Sequence, residues 1–317
     1  MKPILEIENL SIDFIQYKRG LRRRSLPVIR DLSLMVEAGQ VVAVVGASGS
    51  GKSLLAHAIL DILPYNSRRE GIIRYDGEEL TQERIQKLRG REIVLVPQGV
   101  NYLDPLMKVG PQLRKGSRDA QTKKKYLDAL GRYGLDDAVQ ELYPFELSGG
   151  MARRVLIASA VAESPRLVIA DEPTPGLDVS SAARILAHFR ELAEGGAGVL
   201  LITHDLETAL AAADRVAVFY AGETIEEAAA GDFAAEELLR HPFTQALWNA
   251  MPQHGFHPIP GAQPYPGETK EGCPFARQCG GCTEDCQTGS IPLRGFRGGL
   301  VRCLHPERVQ KRNGQDG

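Results

Sequence analysis

The sequence predicts an α/β fold built on a mainly parallel sheet that is wrapped by helices. One observation is that short apolar segments alternate with helical segments along the chain, which is the pattern of β-α-β units. The other is that residues 41–53, VVAVVGASGSGKS, begin with β-branched residues, turn through a glycine-rich loop and run into a helical segment. Strand, glycine loop and helix in this order are the context of a phosphate-binding loop.

The glycine-rich loop has the spacing of a P-loop. Gly46 is followed by four residues and then by Gly51, Lys52 and Ser53. Glycines let backbone N–H groups turn inward around phosphate oxygens, Lys52 can reach the β- and γ-phosphates, and the Ser53 hydroxyl can bind Mg²⁺. The positive end of the helix dipole adds to the attraction. The glycine spacing differs from the G-x-G-x-x-G of dinucleotide-binding folds, which we therefore disfavour.

The other elements follow from hydrophobic periodicity. Alternating apolar and polar residues predict strands at 4–14 and 28–36, and an Asp-Gly turn interrupts the strand-forming stretch 71–80. Apolar runs predict buried strands that end near Gln98, Glu172 and Asp205, and another strand near 215–220. We expect helices over 81–91, 119–133, 178–194 and 206–213, and one that opens at the Gly-Gly pair of 149–150.

Composition excludes several classes of protein. The length of 317 residues suggests about two domains, and a hydrophobic share of 43% is ordinary for a globular protein with a core. The net charge of −2 argues against a nucleic-acid binder that relies on bulk charge. No apolar run reaches the roughly 18 residues of a membrane span, and the N-terminus lacks a signal-peptide pattern. We therefore expect a cytoplasmic protein.

Polar residues lie just beyond the apolar strands, at Lys52, Gln98, Asp171, Glu172 and His204. Ligands of open α/β sheets bind outside the carboxyl ends of the strands, so these side chains are expected to converge on one edge. Asp171 is suited to hold Mg²⁺, and Glu172 can polarise the attacking water. Gln98 can complete the Mg²⁺ shell or sense the γ-phosphate, and His204 can orient the water. The alternative is that the two carboxylates belong to a solvated turn, which fits poorly with the apolar run before them.

Two further features can bind a nucleotide. The Ser148 hydroxyl and the free N–H groups of the helix that opens at 149–150 form a second potential anion site. Phe14 and Tyr17 lie upstream of the P-loop strand, and either ring can stack on an adenine. The alternative for both aromatic residues is an ordinary position at the end of a strand.

The sequence resembles the ATP-binding subunits of ABC transporters. The motifs that carry the resemblance are, in chain order, GASGSGKS (46–53), VPQ (96–98), LSGGM (147–151), LVIADEP (167–173), PGLD (175–178) and THD (203–205). Their joint occurrence in this order is far more specific than the P-loop alone. The resemblance implies an ABC-type nucleotide-binding domain with a helical signature subdomain at about 100–162. It also implies a head-to-tail dimer in which the P-loop of one subunit and the signature of the other enclose ATP.

The resemblance also implies a role for each matching residue. The ATP-binding set is Phe14, Tyr17, Gly46, Ala47, Ser48, Gly49, Ser50, Gly51, Lys52, Ser53, Leu54 and Gln98. The Mg²⁺ ligands are Ser53, Gln98 and Asp171, and the catalytic residues are Glu172 and His204. The signature residues Leu147, Ser148, Gly149, Gly150 and Met151 would contact the partner's ATP, and Asp178 would lie at the dimer seam. Met151 replaces the commoner glutamine, as in peptide and nickel importers, and Pro-Gly replaces the usual Ser/Thr-Ala before Leu177 and Asp178.

The end of the chain resembles the C-terminal extension of oligopeptide, dipeptide and nickel importer ATPases. HPFT at 241–244 and GCPF at 272–275, followed by further cysteines, carry this resemblance. We expect an ABC cassette over 1–240 and an extension over 241–317, joined by a Pro/Gly-rich linker. In some family members the extension holds a [4Fe–4S] cluster. The matching positions are Cys273, Cys279, Cys286 and Cys303, with Cys282 as an alternative ligand.

The chemistry of the cysteines leaves alternatives open. Four thiolates can hold either a cubane cluster or Zn²⁺. The spacings of five, six and sixteen residues are unlike those of zinc ribbons. Clustered cysteines in a cytoplasmic chain also favour metal or cluster ligation over a disulfide framework. We therefore favour an iron–sulfur cluster over zinc, with free or disulfide-bonded cysteines as the third possibility.

The resemblance implies ATP hydrolysis coupled to import of a peptide, nickel or a metal–metallophore complex. The implied partners are two membrane permease subunits, a second related ATPase subunit or a second copy, and indirectly an extracytoplasmic substrate-binding protein, with no nucleic acid. The implied location is peripheral, on the cytoplasmic face of the inner membrane. Two alternatives are a soluble ABC ATPase that is not coupled to transport, and an iron–sulfur sensing module that uses ATP as a switch. A single cassette without sustained heptads argues against the first alternative.

Overall fold

The computed structural model describes residues 2–17, 23–47, 49–259, 261–265, 268 and 271–307. The strands are β1 (Pro3–Tyr17), β2 (Arg23–Glu37), β3 (Val41–Gly46), β4 (Ser67–Tyr75), β5 (Glu78–Glu79), β6 (Ile93–Val96), β7 (Leu167–Asp171), β8 (Gly198–Thr203), β9 (Arg215–Tyr220), β10 (Glu223–Ala229), β11 (Arg294–Phe296) and β12 (Gly299–Val301). The helices are α1 (Lys52–Ile59), α2 (Gln82–Leu88), α3 (Val109–Leu113), α4 (Ala120–Arg132), α5 (Gly149–Val161), α6 (Val179–Glu194), α7 (Leu206–Ala212) and α8 (Pro242–Asn249). Short 3₁₀ helices lie at Asp137–Glu141, Pro144–Glu146, Ala230–Ala234, Glu236–Leu238, Pro252–His254 and Glu284–Gln287.

The strands form two sheets. The larger has eight strands in the order β11-β12-β10-β9-β3-β8-β7-β6, and the smaller has four in the order β2-β1-β4-β5. In the larger sheet β9, β3, β8, β7 and β6 are parallel. Their carboxyl ends are level, since Val45 pairs with Thr203, and Asp171 pairs with Ile202. Residues that follow these strands therefore meet at one edge, as the sequence predicts.

The P-loop strand β3 is buried on both faces. Val41 and Val45 face a core that includes residues of α5 and α6, whereas Val42 and Val44 face a second core that includes residues of β1, β2 and α1. A parallel strand that is covered on both faces consists of a continuous run of apolar residues, which explains the sequence VVAVV. The strand that presents the P-loop is thus fixed between two packed layers.

The observed elements confirm most of the predicted ones. The two N-terminal strands are longer than expected. Strand β1 continues to Tyr17, and β2 already begins at Arg23. The segment between β6 and β7 contains α3, α4 and α5. The sequence did not predict α3, α8, β10, β11 or β12. Among the described residues, no helix has the length and apolarity needed to cross a membrane.

The C-terminal extension joins the cassette through its sheet. Strand β12 pairs with β10, with Glu226 opposite Val301. The buried guanidinium of Arg302 donates to the carbonyls of Thr224 and Ile291, at 3.0 and 2.9 Å, and to the Asp31 carboxylate at 3.3 Å. The extension thus continues the large sheet. The composition of a small polar tail does not predict this pairing.

Candidate functional site

The P-loop connects β3 to α1 in a conformation that requires glycine at two positions. A Cβ on Gly46 would lie 2.5 Å from the carbonyl oxygen of Phe219, so only glycine fits against β9 there. Gly51 is the N-cap of α1 and has a φ of 95°, a left-handed conformation that favours glycine. Ser48, one of the predicted ATP-binding residues, lies outside the described residues.

Lys52 is buried inside the loop, with 6% of its surface exposed. Its ammonium donates to the carbonyls of Gly46 and Ala47, at 2.7 and 2.9 Å. Burial lowers the pKa of Lys52, and the nearby carboxylates of Glu172 and Asp171 oppose that shift. A positive charge is therefore held at the centre of the loop and faces two acidic side chains.

Asp171 is the last residue of β7, and only 4% of its surface is exposed. Burial raises the pKa of Asp171, and a hydrogen bond from the Ser53 hydroxyl opposes this effect. The buried Oδ1 atom of Asp171 has no hydrogen-bond partner. A buried carboxylate oxygen without a donor, beside a hydroxyl, is a suitable ligand for a hard divalent cation.

Glu172 directly follows β7 and has a left-handed backbone conformation, with a φ of 48°. Its N–H donates to the carbonyl of Ile202 at 2.9 Å, which fixes the backbone against β8. Its carboxylate oxygens lie 2.8 and 2.9 Å from Nδ1 of His204. The Glu172 side chain is 7% exposed and that of His204 is 56% exposed, so the histidine covers the carboxylate on the solvent side.

Gln98 follows β6 and is exposed. Its carbonyl oxygen accepts a hydrogen bond of 2.6 Å from Nη2 of Arg153, which belongs to α5. Nη1 of the same guanidinium donates to the carbonyl of Glu172. The sequence alone does not identify Arg153 as a site residue, because an arginine in a helix is usually exposed to solvent.

The signature residues lie where α5 begins. Ser148 is the N-cap, and its hydroxyl accepts a hydrogen bond of 3.2 Å from the N–H of Met151. A Cβ on Gly150 would lie 3.6 Å from the Leu177 side chain, so the signature packs beside the loop that precedes α6. In that loop Asp178 is the N-cap of α6 and accepts from the N–H of Ser181 at 2.9 Å.

The comparisons with known proteins agree with this geometry. The ABC transporter profile matches residues 29–175, and the profile of the oligopeptide/dipeptide transporter C-terminal region matches residues 225–286. The oligopeptide transport ATP-binding protein AppD of Bacillus subtilis is 32% identical over 96% of this chain and 97% of its own length. For OppD of Salmonella typhimurium the identity is 34%, over 96% of this chain and 94% of OppD. This chain belongs to the family of ABC transporter ATP-binding proteins.

Solved ABC cassettes show the same fold. The dimeric structure of MJ0796, a bacterial ABC transporter cassette, matches with a TM-score of 0.62 and 27% identity, over 71% of this chain and 98% of that one. A dimeric post-hydrolysis state of the same cassette, bound to ADP and Pi, matches equally well. The resemblance drawn from the motifs is confirmed, and the chain is an ABC-type ATPase. The soluble-ATPase and iron–sulfur-sensing alternatives receive no support from these relatives.

The two predicted adenine-stacking residues differ in their surroundings. Phe14 is half-buried in β1, between Leu26 of β2 and Ser67 of β4. Tyr17 ends β1 and is 63% exposed, with the guanidinium of Arg23 5.6 Å from its ring centroid. In this ABC ATPase the more exposed ring is therefore that of Tyr17.

All five cysteines of the extension are free thiols. Burial raises the pKa of Cys273 to about 12 and that of Cys303 to about 11, and the charges of neighbouring thiols add to both shifts. Within the ranges that the structure covers, no group of three or more His, Cys, Asp or Glu side chains is arranged to hold a metal ion. The expected ligand set, Cys273, Cys279, Cys286 and Cys303 with Cys282 as the alternative, is therefore not assembled in this conformation.

Proposed function

We propose that the strand-edge site binds Mg²⁺ and ATP, and that hydrolysis of ATP powers the import of peptides through a membrane permease. The observation that carries the proposal is the pairing of two arrangements at one sheet edge. One is the buried, donor-free Oδ1 of Asp171 beside Ser53, and the other is the contact between the Glu172 carboxylate and His204. The first suits a cation and the second suits a general base, which are the parts that phosphoryl transfer to water requires.

Each side chain has a role in this proposal. Ser53 and Asp171, with Gln98, would hold Mg²⁺, which supplies charge neutralisation of the phosphates when bound. The Lys52 ammonium exchanges its carbonyl contacts for the β- and γ-phosphate oxygens. The Glu172 carboxylate orients the attacking water and accepts its proton, while His204 fixes that carboxylate through Nδ1.

The remaining loop residues line the same nucleotide site in the proposal. The backbone N–H groups of the P-loop would surround the phosphates, and Phe14 or Tyr17 would stack on the adenine. The loop positions are Gly46, Ala47, Ser48, Gly49, Ser50, Gly51 and Leu54.

A second ATPase subunit, or a second copy of this chain, would complete the site. The signature of this chain, Leu147, Ser148, Gly149, Gly150 and Met151, would then close over the partner's ATP. Asp178 would lie at the seam between the subunits. The dimeric cassettes of similar fold support this arrangement. We also infer a division into a cassette over 1–240, with its helical subdomain at about 100–162, and an extension over 241–317.

The permease subunits would dock on the helical region beside Gln98. The side chains of Val100, Tyr102 and Met107 are exposed there, and Leu106 is 88% exposed. Phe145 is 73% exposed, and its loop is adjacent because the N–H of Val109 donates to the carbonyl of Leu142. Exposed apolar side chains gathered in one region indicate a protein interface. Docking on two permease subunits would hold the ATPase peripherally on the cytoplasmic face of the inner membrane, with a substrate-binding protein acting indirectly from the other side.

The substrate class comes from the relatives. AppD and OppD are named for oligopeptide transport, and the C-terminal profile is that of oligopeptide and dipeptide transporters. These names support a peptide, and they give the nickel and metallophore alternatives no support.

The transport proposal is tested by reconstitution in vesicles with the permease subunits and the second ATPase. We expect the chain to remain with the vesicles, and ATP hydrolysis to drive accumulation of a fluorescent oligopeptide but not of ⁶³Ni²⁺. Vesicles that contain ADP in place of ATP are the control. Hydrolysis that is unchanged by the permease, with the chain left in the supernatant, would favour a soluble ATPase. Accumulation of ⁶³Ni²⁺ alone would overturn the peptide assignment.

We also propose that the extension binds a [4Fe–4S] cluster, with zinc as the less favoured occupant. The support is the donor set of four cysteines, with the thiols of Cys279 and Cys286 near enough to raise the pKa values of Cys273 and Cys303. These side chains would have to move to bind the cluster, because the described residues do not assemble them as ligands in this conformation. Anaerobic purification followed by iron and sulfide analysis should give about four of each per chain, the stoichiometry of a cubane. One equivalent of zinc without iron would contradict the cluster.

A further inference from the structure

Arg153 joins three elements of the ATPase. It is the fifth residue of α5, the helix that begins at the signature. Its Nη1 donates to the carbonyl of Glu172, and its Nη2 donates to the carbonyl of Gln98 at 2.6 Å. The two carbonyls belong to the segments that follow β7 and β6. One guanidinium therefore links the signature helix to both neighbouring strand ends.

The backbone of Glu172 is held from two sides. Its N–H donates to the carbonyl of Ile202 in β8, and its own carbonyl accepts from Arg153. Between these two bonds the residue has a φ of 48°, which is uncommon for a residue with a side chain. Such a conformation persists when its surroundings fix it, and here it directs the carboxylate to His204.

We propose that Arg153 is a positioning residue for ATP hydrolysis, which holds the Glu172 carboxylate and the Gln98 segment in place and ties both to the signature helix. This inference rests on the proposed function, because it takes Glu172 as the general base. Arg153 itself need not touch ATP. A displacement of α5 would be passed to the backbone of Glu172 through one side chain.

The chemistry of the guanidinium suits two carbonyls. Its planar group presents several N–H donors in a fixed fork, so it can donate to two separate oxygens at once. A lysine ammonium is a more flexible point donor and would hold them less rigidly. Half-burial of Arg153 lowers its pKa, while the charge of Glu172 opposes that shift, so the group stays protonated near the site.

The link covers a short distance along α5. Ser148 caps α5, and Arg153 lies five residues further on, a rise of roughly 7–8 Å along the helix. In the proposed dimer Ser148 would contact the partner's ATP, whereas Arg153 contacts the site of its own chain. Closure of one site would thus affect the geometry of the general base in the other.

The test compares Arg153→Met, Arg153→Lys and Arg153→Ala with Arg190→Met. Arg190 is a matched control, because it also donates to a main-chain carbonyl, that of Ala212, and is partly buried. Arg190 lies near the amino end of β3, away from the strand ends that carry the site, because its partner Asp214 accepts from the N–H of Val41. The measurements are kcat, KM for ATP, ATP affinity from fluorescent-nucleotide binding, and Tm, all on the full chain with its partner subunits.

We expect kcat of Arg153→Met to fall at least roughly ten-fold, since two charge-assisted hydrogen bonds are lost, while ATP affinity stays within about two-fold. Arg153→Lys should recover part of the loss, and guanidinium ions should raise the rate of Arg153→Ala but not that of Arg190→Met. Arg190→Met should keep kcat within about two-fold, even if its Tm falls. If Arg153 and Arg190 contribute only to stability, Tm and activity should fall together in Arg153→Met and in Arg190→Met.

The inference is overturned if Arg153→Met keeps the wild-type kcat. It is also overturned if kcat and ATP affinity of Arg153→Met fall in parallel, Arg153→Lys recovers none of the loss, and guanidinium ions do not raise the rate of Arg153→Ala. Glu172→Gln is measured beside it. If that variant loses turnover while Arg153→Met does not, only the role of Arg153 fails. If both variants hydrolyse ATP normally, the proposed site itself is wrong.

Discussion

Replacing Arg302 with Met would weaken the attachment of the C-terminal extension to the cassette. The guanidinium of Arg302 donates to the carbonyls of Thr224, Ile291 and Asp31, at 3.0, 2.9 and 3.1 Å. It also contacts the Asp31 carboxylate at 3.3 Å and lies 3.7 Å from that of Glu223. Burial raises the pKa of Glu223, and the charge of Arg302 opposes that shift. The substitution would therefore remove one of the two cations, Arg302 and Arg30, whose charges oppose the burial of this largely buried carboxylate.

The expected loss of stability in Arg302→Met follows from these contacts. Removing one partner of a buried ion pair costs about 3–5 kcal/mol. The Asp31 side chain is more than half exposed, so its contact adds little, and we take the lower limit of about 3 kcal/mol. For a chain of this size that corresponds to a fall in Tm of roughly 5 °C.

Thermal unfolding of wild type and Arg302→Met checks this value. Arg294→Met is the control, because Arg294 is exposed in the same extension and donates to the carbonyl of Leu304. We expect the control to lose less than about 1 kcal/mol. A loss of the same small size in Arg302→Met would refute the claim that the extension is part of the cassette's sheet. Separate melting of the extension, with the cassette unaffected, would refute it as well.

Two further predictions concern pH and the P-loop. Burial lowers the pKa of His188 from 6.5 to about 4, and its ring hydrogen-bonds to the Tyr133 hydroxyl. Below pH 6.5 the unfolded chain therefore takes up a proton that the folded chain does not, and stability falls by up to about 1.4 kcal/mol per pH unit until pH 4. His188→Gln should make the slope in urea unfolding between pH 7.0 and 5.0 smaller by this amount, while the contribution of His241, whose pKa burial lowers to about 3, remains. Gly46→Ala should weaken ATP binding at least roughly ten-fold in a fluorescent-nucleotide titration, because the new Cβ, 2.5 Å from the Phe219 carbonyl, displaces the loop.

Each of these predictions has an outcome that contradicts it. An equal slope with pH in His188→Gln and wild type would show that His188 is protonated in the folded state. Gly231→Ala is the control for Gly46→Ala, because nothing lies within 4 Å of its added Cβ. Equal ATP affinity in wild type, Gly46→Ala and Gly231→Ala would show that the contact with β9 does not hold the P-loop.

The parallel strands and the convergence of the site could be predicted from sequence. Strands such as β3 and β7 are buried on both faces, so they appear as apolar runs, and the motifs lie where those runs end. The level ends of parallel strands then bring Lys52, Asp171, Glu172 and His204 together. Only the order of strand, loop and polar residue along the chain is needed to predict that these side chains converge.

The features missed depend on tertiary contacts. Strands β11 and β12 have three residues each, and they contain Arg294, Gly295 and Gly299, so no alternation marks them. They are strands because β12 pairs with β10. Arg153 is one of two adjacent arginines in a helix, and only the folded chain shows which one reaches Gln98 and Glu172.

The sequence carries a local signal for one further helix boundary. Asp178 precedes Val179, Ser180 and Ser181, and an aspartate before a helical segment is a typical N-cap. The structure shows this role, with the Asp178 carboxylate accepting from both serine hydroxyls, at 2.6 and 2.7 Å. These bonds hold the pKa of Asp178 well below its usual range. The proposed position at the dimer seam is compatible with the cap.

The role of Glu172 as general base is tested most directly by the rate of ATP hydrolysis of Glu172→Gln, measured together with its ATP affinity. Glutamine keeps the size of the side chain and its contact with His204, but it cannot accept a proton from water. We expect turnover to fall at least roughly 100-fold while ATP affinity stays within about two-fold of wild type. An unchanged rate of hydrolysis in Glu172→Gln would contradict the assignment of Glu172 as the general base.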